Sequence, residues 1–92
     1  METKQTFVLK CIIINDIWWL ESIDANGKTD VFVRMSEIKG MCKYKSGKNW
    51  ATSTVGMIVD GHIIHLPAVF TIEDVKNILN EHGPSEIIKD VV

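Results

Sequence analysis

The run Thr54-Val55-Gly56-Met57-Ile58-Val59-Asp60-Gly61-His62-Ile63-Ile64-His65-Leu66 decides the reading of this chain. Two aliphatic, β-branched segments flank Asp-Gly, a dipeptide that accepts the positive φ of a two-residue hairpin turn. The run predicts an antiparallel pair over residues 54–59 and 62–66. Pro67 stops the second strand, because proline cannot donate to a strand ladder.

Downstream, Thr71 predicts a helix cap, with the helix over residues 72–82. Asp74, three residues on, makes a variant capping box, and Phe70 with Val75 fits a hydrophobic staple. Ile72, Val75, Ile78 and Leu79 recur at helical spacing and form one apolar stripe that must dock on a sheet. Gly83 and Pro84 close the element. The tail holds Ile87, Ile88, Val91 and Val92. Aliphatics this dense predict a final strand or short helix on the core, or a contact with another subunit.

Upstream the same logic repeats. Residues 6–14 predict a strand with Phe7, Leu9, Cys11 and Ile13 on one face and Val8, Lys10, Ile12 and Ile14 on the other. Both faces turn apolar toward its end, which predicts cover on both sides there. Asn15-Asp16 is a turn dipeptide. Residues 17–23 return, with Ile17, Trp19, Glu21 and Ile23 alternating with Trp18, Leu20 and Ser22. Asp24-Ala25-Asn26-Gly27 reverses the chain again. Residues 28–35 form a third strand, with Val31, Val33 and Met35 on one face and Phe32 on the other. Ser36-Glu37-Ile38 reads as one helical turn capped by Ser36 and ended by Gly40. Residues 39–53 have no regular period and predict a long hairpin loop, or a short strand with a mobile tip. The expected fold is a single α+β domain over residues 1–92. It is a small curled antiparallel β-sheet of about five hairpin-connected strands, barrel-like, with one C-terminal helix packed on it.

Composition bounds the function. Ninety-two residues make one domain with one modest core. The chain is 46% hydrophobic and 24% charged, which argues against disorder. Its formal charge of −2 argues against a general nucleic-acid binder. The two cysteines, Cys11 and Cys42, are too few for a secreted disulfide framework and point to a reducing compartment. Met1-Glu2-Thr3-Lys4-Gln5-Thr6 holds no apolar signal-peptide core. Apolar runs such as 11–14 and 17–20 are four residues long, whereas a membrane helix needs about twenty. The expectation is a cytoplasmic protein with no membrane contact.

No catalytic constellation emerges. His62 and His65 stand three apart in a strand, so their rings point to opposite faces and do not easily share one metal ion. His82 falls in the last helical turn, where the helix dipole mildly favours an imidazolium. Ser46-Gly47-Lys48-Asn49 is like a fragment of a phosphate loop, but Cys42 stands where the first glycine belongs and Asn49 where Ser or Thr belongs. Ser36, Ser46, Ser53 and the cysteines have no nucleophile context. Catalytic, cofactor and metal residues are therefore expected to be none.

Two features point to binding. Lys39, Lys43, Lys45 and Lys48 surround Tyr44, with Trp50 beyond, a basic and aromatic segment on an acidic chain. Lysines there can pair with phosphates or acidic partners, and Tyr44 and Trp50 can stack on bases. The simpler reading is a solvated loop whose lysines maintain solubility, with Trp50 folded into the core. Trp18-Trp19 is the second feature: adjacent strand residues face opposite ways, so one ring is core and the other faces outward, where Trp is a favoured interface anchor, or lies covered by the helix or the tail.

The order Val31-Phe32-Val33-Arg34-Met35-Ser36-Glu37-Ile38, then the 54–64 hairpin, then Thr71-Ile72-Glu73-Asp74-Val75 resembles that of the small FlbD-like flagellar proteins. The likeness covers residues 30–79. It implies a small bacterial or phage accessory protein without enzymatic activity. The strand–turn–strand stretch is also similar to LytTR DNA-binding domains, whose later Phe…His-Arg-Ser segment has no counterpart here. The expectation is a non-enzymatic module that binds a protein partner, as a homo-oligomer, through Trp18, Trp19, Lys43, Tyr44, Lys45, Lys48 and Trp50. The alternative is nucleic-acid or nucleotide binding through residues 39–50.

Overall fold

A computed structural model of the chain describes residues 4–45, 53–81 and 84–91. The elements are β1 (Gln5–Ile14), β2 (Ile17–Ile23), β3 (Thr29–Arg34), a 3-10 turn (Met35–Glu37), β4 (Ile38–Lys45), β5 (Ser53–Val59), β6 (His62–His65), α1 (Ile72–Leu79) and β7 (Ser85–Val91). They build two antiparallel sheets, one ordered β3-β2-β1-β7 and one ordered β4-β5-β6. The fold is α+β with one short helix, as the sequence predicts, but two expectations fail. The described strands number seven in two open sheets, not about five in one barrel-like sheet. The helix is also not terminal: β7 follows it and pairs along β1, with Leu9 opposite Ile87 and Cys11 opposite Ser85.

Local chemistry sets the hairpins. Asn15 and Asp16 have φ of 51° and 64°, and Asp60 and Gly61 have φ of 50° and 76°. Both turns are the mirror-image type that matches strand twist. Asp24 Oδ1 accepts from the backbone N–H groups of Asn26 and Lys28 at 2.9 and 3.0 Å, an Asx turn joining β2 to β3. At the helix start, Thr71 Oγ1 accepts from the Asp74 N–H at 3.1 Å and Asp74 Oδ2 accepts from the Thr71 N–H at 2.9 Å. The capping box is therefore complete with Asp in the Glu position.

Several boundaries move. The helix ends at Leu79 with Asn80 as its C-cap, short of residue 82, and His82 and Gly83 lie outside the described residues. Ser36 does not cap the 3-10 turn, whose N-cap is Arg34 without a side-chain bond. Gly40 lies inside β4, opposite Ile58. Of the two readings of residues 39–53, the long loop fails and the strand holds through Lys45, because β5 supplies a full partner from Ile38–Val59 to Lys45–Ser53. Residues 46–52 lie outside the described residues.

The two sheets share one core. Leu9, Cys11, Leu20 and Val31 come from the four-stranded sheet, and Val55 and Met57 from the other. Leu66 and Phe70 come from the connection, and Val75 and Ile78 from the helix. Each fully buried large side chain contributes about 1.5–3 kcal/mol of transfer free energy. Ile13 and Ile14 are 42% and 44% exposed, so the expected cover on both sides of the end of β1 is absent. The cause is topological: β7 pairs with β1 only up to Cys11, and the tip projects beyond it.

Asp74 also joins the helix to the last strand, through Lys89 Nζ at 3.3 Å from Oδ2. Burial raises its pKa, but the Thr71 N–H, the Lys89 ammonium and the Thr71 hydroxyl outweigh that and leave it below the usual carboxylate value. A depressed carboxylate stabilises the fold above its unfolded pKa, near 4, and loses that contribution as pH falls through the lower folded value. Asp74→Asn is therefore expected to be less stable than the native chain at pH 7. The difference should shrink as pH drops below about 4. Urea denaturation at pH 7 and pH 3 checks this; a gap that stays constant contradicts it.

Candidate functional site

The outward side of the four-stranded sheet is the most distinctive surface. The register lines its side chains up in rows: Arg34, Trp19 and Ile12; then Phe32, Glu21, Lys10 and Glu86; then Ile23, Val8 and Ile88. The alternate residues Leu9, Cys11, Leu20 and Val31 point to the core. The helix and the second sheet contribute to that same core, on the opposite side.

Trp19 and Phe32 stack with ring centroids 4.7 Å apart and planes 5° from parallel. The Arg34 guanidinium carbon lies 5.6 Å from the Trp19 ring centre, within cation–π range. Beside them, Lys10 Nζ lies 3.5 Å from Glu21 Oε1. The Thr29 hydroxyl donates to Glu21 Oε2 at 2.5 Å. Both Glu21 oxygens are thus held in place. Phe32 is 42% and Ile88 54% exposed, while Val8, Ile12, Trp19 and Ile23 are half-buried. The result is an apolar, partly aromatic sheet face with an ordered ion pair at its centre.

Trp18 and Trp19 divide as their parity predicts. Trp19 is outward, and Trp18 packs against the core. Trp18 also lines an open cleft of about 650 Å³ with Asp16, Ile17, Met35, Leu79 and Glu81. The lysine set is not brought to Trp19. Lys43 is exposed on the other sheet, paired with Val55. Tyr44 and Lys45 pair through their backbones with Thr54 and Ser53. Lys48 and Trp50 lie outside the described residues.

Other chemistry-bearing groups stand apart. His62 and His65 are exposed in β6, and His65 Nδ1 lies 3.2 Å from Thr54 Oγ1. Among the described residues, no three metal-ligating side chains come together. Cys11 is buried, its pKa raised by desolvation, and its Sγ lies 3.3 Å from Met35 Sδ. Cys42 is half-buried on the three-stranded sheet. It is close to Gly56, where an added Cβ would meet Ile63 Cγ2 at 2.8 Å and Cys42 Sγ at 3.5 Å. Ile58 and Ile63 are exposed there, a smaller apolar patch without aromatic rings or an ion pair.

The sequence turns one of Trp18 and Trp19 away from the core without saying which, and it does not pick out Phe32, Arg34, Ile12, Val8 and Ile88 as neighbours on this face. Phe32 between Asp30 and Arg34 was a visible signal. No family model, curated protein or solved structure matches the chain.

Removing the stack tests the geometry. Phe32→Ala is expected to cost less than about 1.5 kcal/mol, since the ring is surface-lying, and to shift Trp19 emission to the red. Urea denaturation and fluorescence read both; a cost above about 3 kcal/mol would place Phe32 in the core instead.

Proposed function

We propose that the protein is a small non-enzymatic interaction module that binds protein through the outer face of its four-stranded sheet. The observation that carries this reading is the Trp19–Phe32 stack, roofed by Arg34, on an open sheet face that otherwise holds aliphatic side chains and one charged row. Trp and Arg are the residue types most enriched where binding energy concentrates. Their positions are fixed before any partner arrives, which lowers the ordering cost of association. Ile12, Val8, Ile23 and Ile88 extend the apolar surface, and Lys10, Glu21 and Glu86 supply a polar row for orientation.

An accessory role accords with the likeness of residues 30–79 to the FlbD-like proteins. Two unpaired cysteines, one of them buried, accord with a reducing cytoplasm. Among the described residues, no helix is long and apolar enough to cross a membrane.

A photo-crosslinking amino acid at position 32, compared with one at position 63 on the other sheet, tests the reading inside producing cells. The expected result is a discrete protein adduct from position 32 and none from position 63. Equal labelling at both positions, or no adduct from position 32, would overturn it.

A further inference from the structure

We infer that the partner on this face is a second copy of the same chain, related by a two-fold axis running along the strands between β1 and β2. This rests on the face being a protein-binding surface. The pairing register supplies the argument. Such an axis lays β2 of one subunit over β1 of the other, row on row. Trp19 then lies over the partner's Ile12, Glu21 over the partner's Lys10, and Ile23 over the partner's Val8. Apolar meets apolar and acid meets base at all three central positions, so the face is its own complement. At the rim, Arg34 on the β3 edge approaches the β7 edge of the other subunit, which carries Glu86. Phe32 meets the partner's Glu86 there too, where the carboxylate can stay in water.

The geometry tolerates sheet twist. Face-to-face sheets cross at about 30°, which displaces the rows flanking the centre by about 4 Å, less than one strand spacing of about 4.8 Å. The Glu21–Lys10 row sits at the crossing point, where displacement vanishes. In each subunit these two side chains already pair at 3.5 Å. Across the axis they close an alternating four-charge ring, two acids and two bases.

The area fits a reversible dimer. Four strands at about 4.8 Å and seven residues at about 3.3 Å give roughly 440 Å² of flat footprint per subunit, or about 900 Å² in total. That is close to the roughly 1,000 Å² at which specific interfaces begin, before side-chain relief is added. A dissociation constant in the micromolar range is the expectation.

Charge-reversed variants of the full chain test the inference by sedimentation velocity, with circular dichroism confirming the fold. Native protein should dimerise at micromolar concentration. Lys10→Glu and Glu21→Lys should each weaken self-association by about tenfold or more. Their equimolar mixture should recover it, because one subunit's two carboxylates then face the other's two ammonium groups. If either reversal unfolds the chain, Ile12→Ala should weaken the dimer about fivefold with the ion pair intact. A native chain that stays monomeric at several hundred micromolar, a mixture that gains nothing, or an Ile12→Ala dimer of unchanged affinity overturns it. A monomeric result beside a foreign adduct from position 32 would remove this inference alone and leave the broader reading standing.

Discussion

The side chains of β1 alternate between two surfaces, and both surfaces need it. Leu9 and Cys11 are 0% and 2% exposed and sit at the centre of the core. Val8, Lys10 and Ile12, between and beside them, form the middle of the outer face. A slip of one residue against β2 would carry Lys10 into the core and Leu9 into water. The Asn15-Asp16 turn prevents that slip, because a two-residue mirror-image turn fixes Ile14 opposite Ile17 and hence every later pair. Folding and surface display are therefore one constraint in this strand.

The rest of the fold holds β1 in that position. On one flank stands β2; on the other, β7 returns from the far end of the sequence. The capped helix delivers β7 there: Val75 and Ile78 anchor it in the core, and Asp74 ties it to Lys89 of β7. Among the described residues, three buried polar atoms have no hydrogen-bond partner: Trp19 Nε1, Ser22 Oγ and Ser85 Oγ. Ser22, opposite Leu9, is fully buried and its hydroxyl has no hydrogen-bond partner.

Features governed by near neighbours were legible in the sequence. The Asn15-Asp16, Asp24–Gly27 and Asp60-Gly61 reversals and the Thr71–Asp74 box depend on residues within four positions. Features governed by distant partners were not. Residues 39–45, rich in lysine and glycine, become strand because β5 pairs with them along their length. The tail read as strand, helix or contact, and its choice of β1 spans most of the chain, as between Thr6 and Asp90. The split into two sheets follows from those pairings and not from any local signal. The same limit applies to the site. Parity alone puts Trp18 and Trp19 on opposite faces, whereas the stack of Trp19 on Phe32 needs the β2–β3 register and the irregularity at Ser22/Ile23.

The open sheet face carries a stacked aromatic pair and a centred ion pair. Its row-by-row self-complementarity is the ground for proposing a second copy of the chain as its occupant. The most direct measurement is an isotope-filtered nuclear Overhauser experiment on a mixture of labelled and unlabelled chains, which reports only contacts between subunits. The account predicts cross-peaks between the Trp19 indole of one chain and the Ile12 methyl groups of the other. Their absence, or intermolecular cross-peaks confined to Ile58 and Ile63, would contradict it.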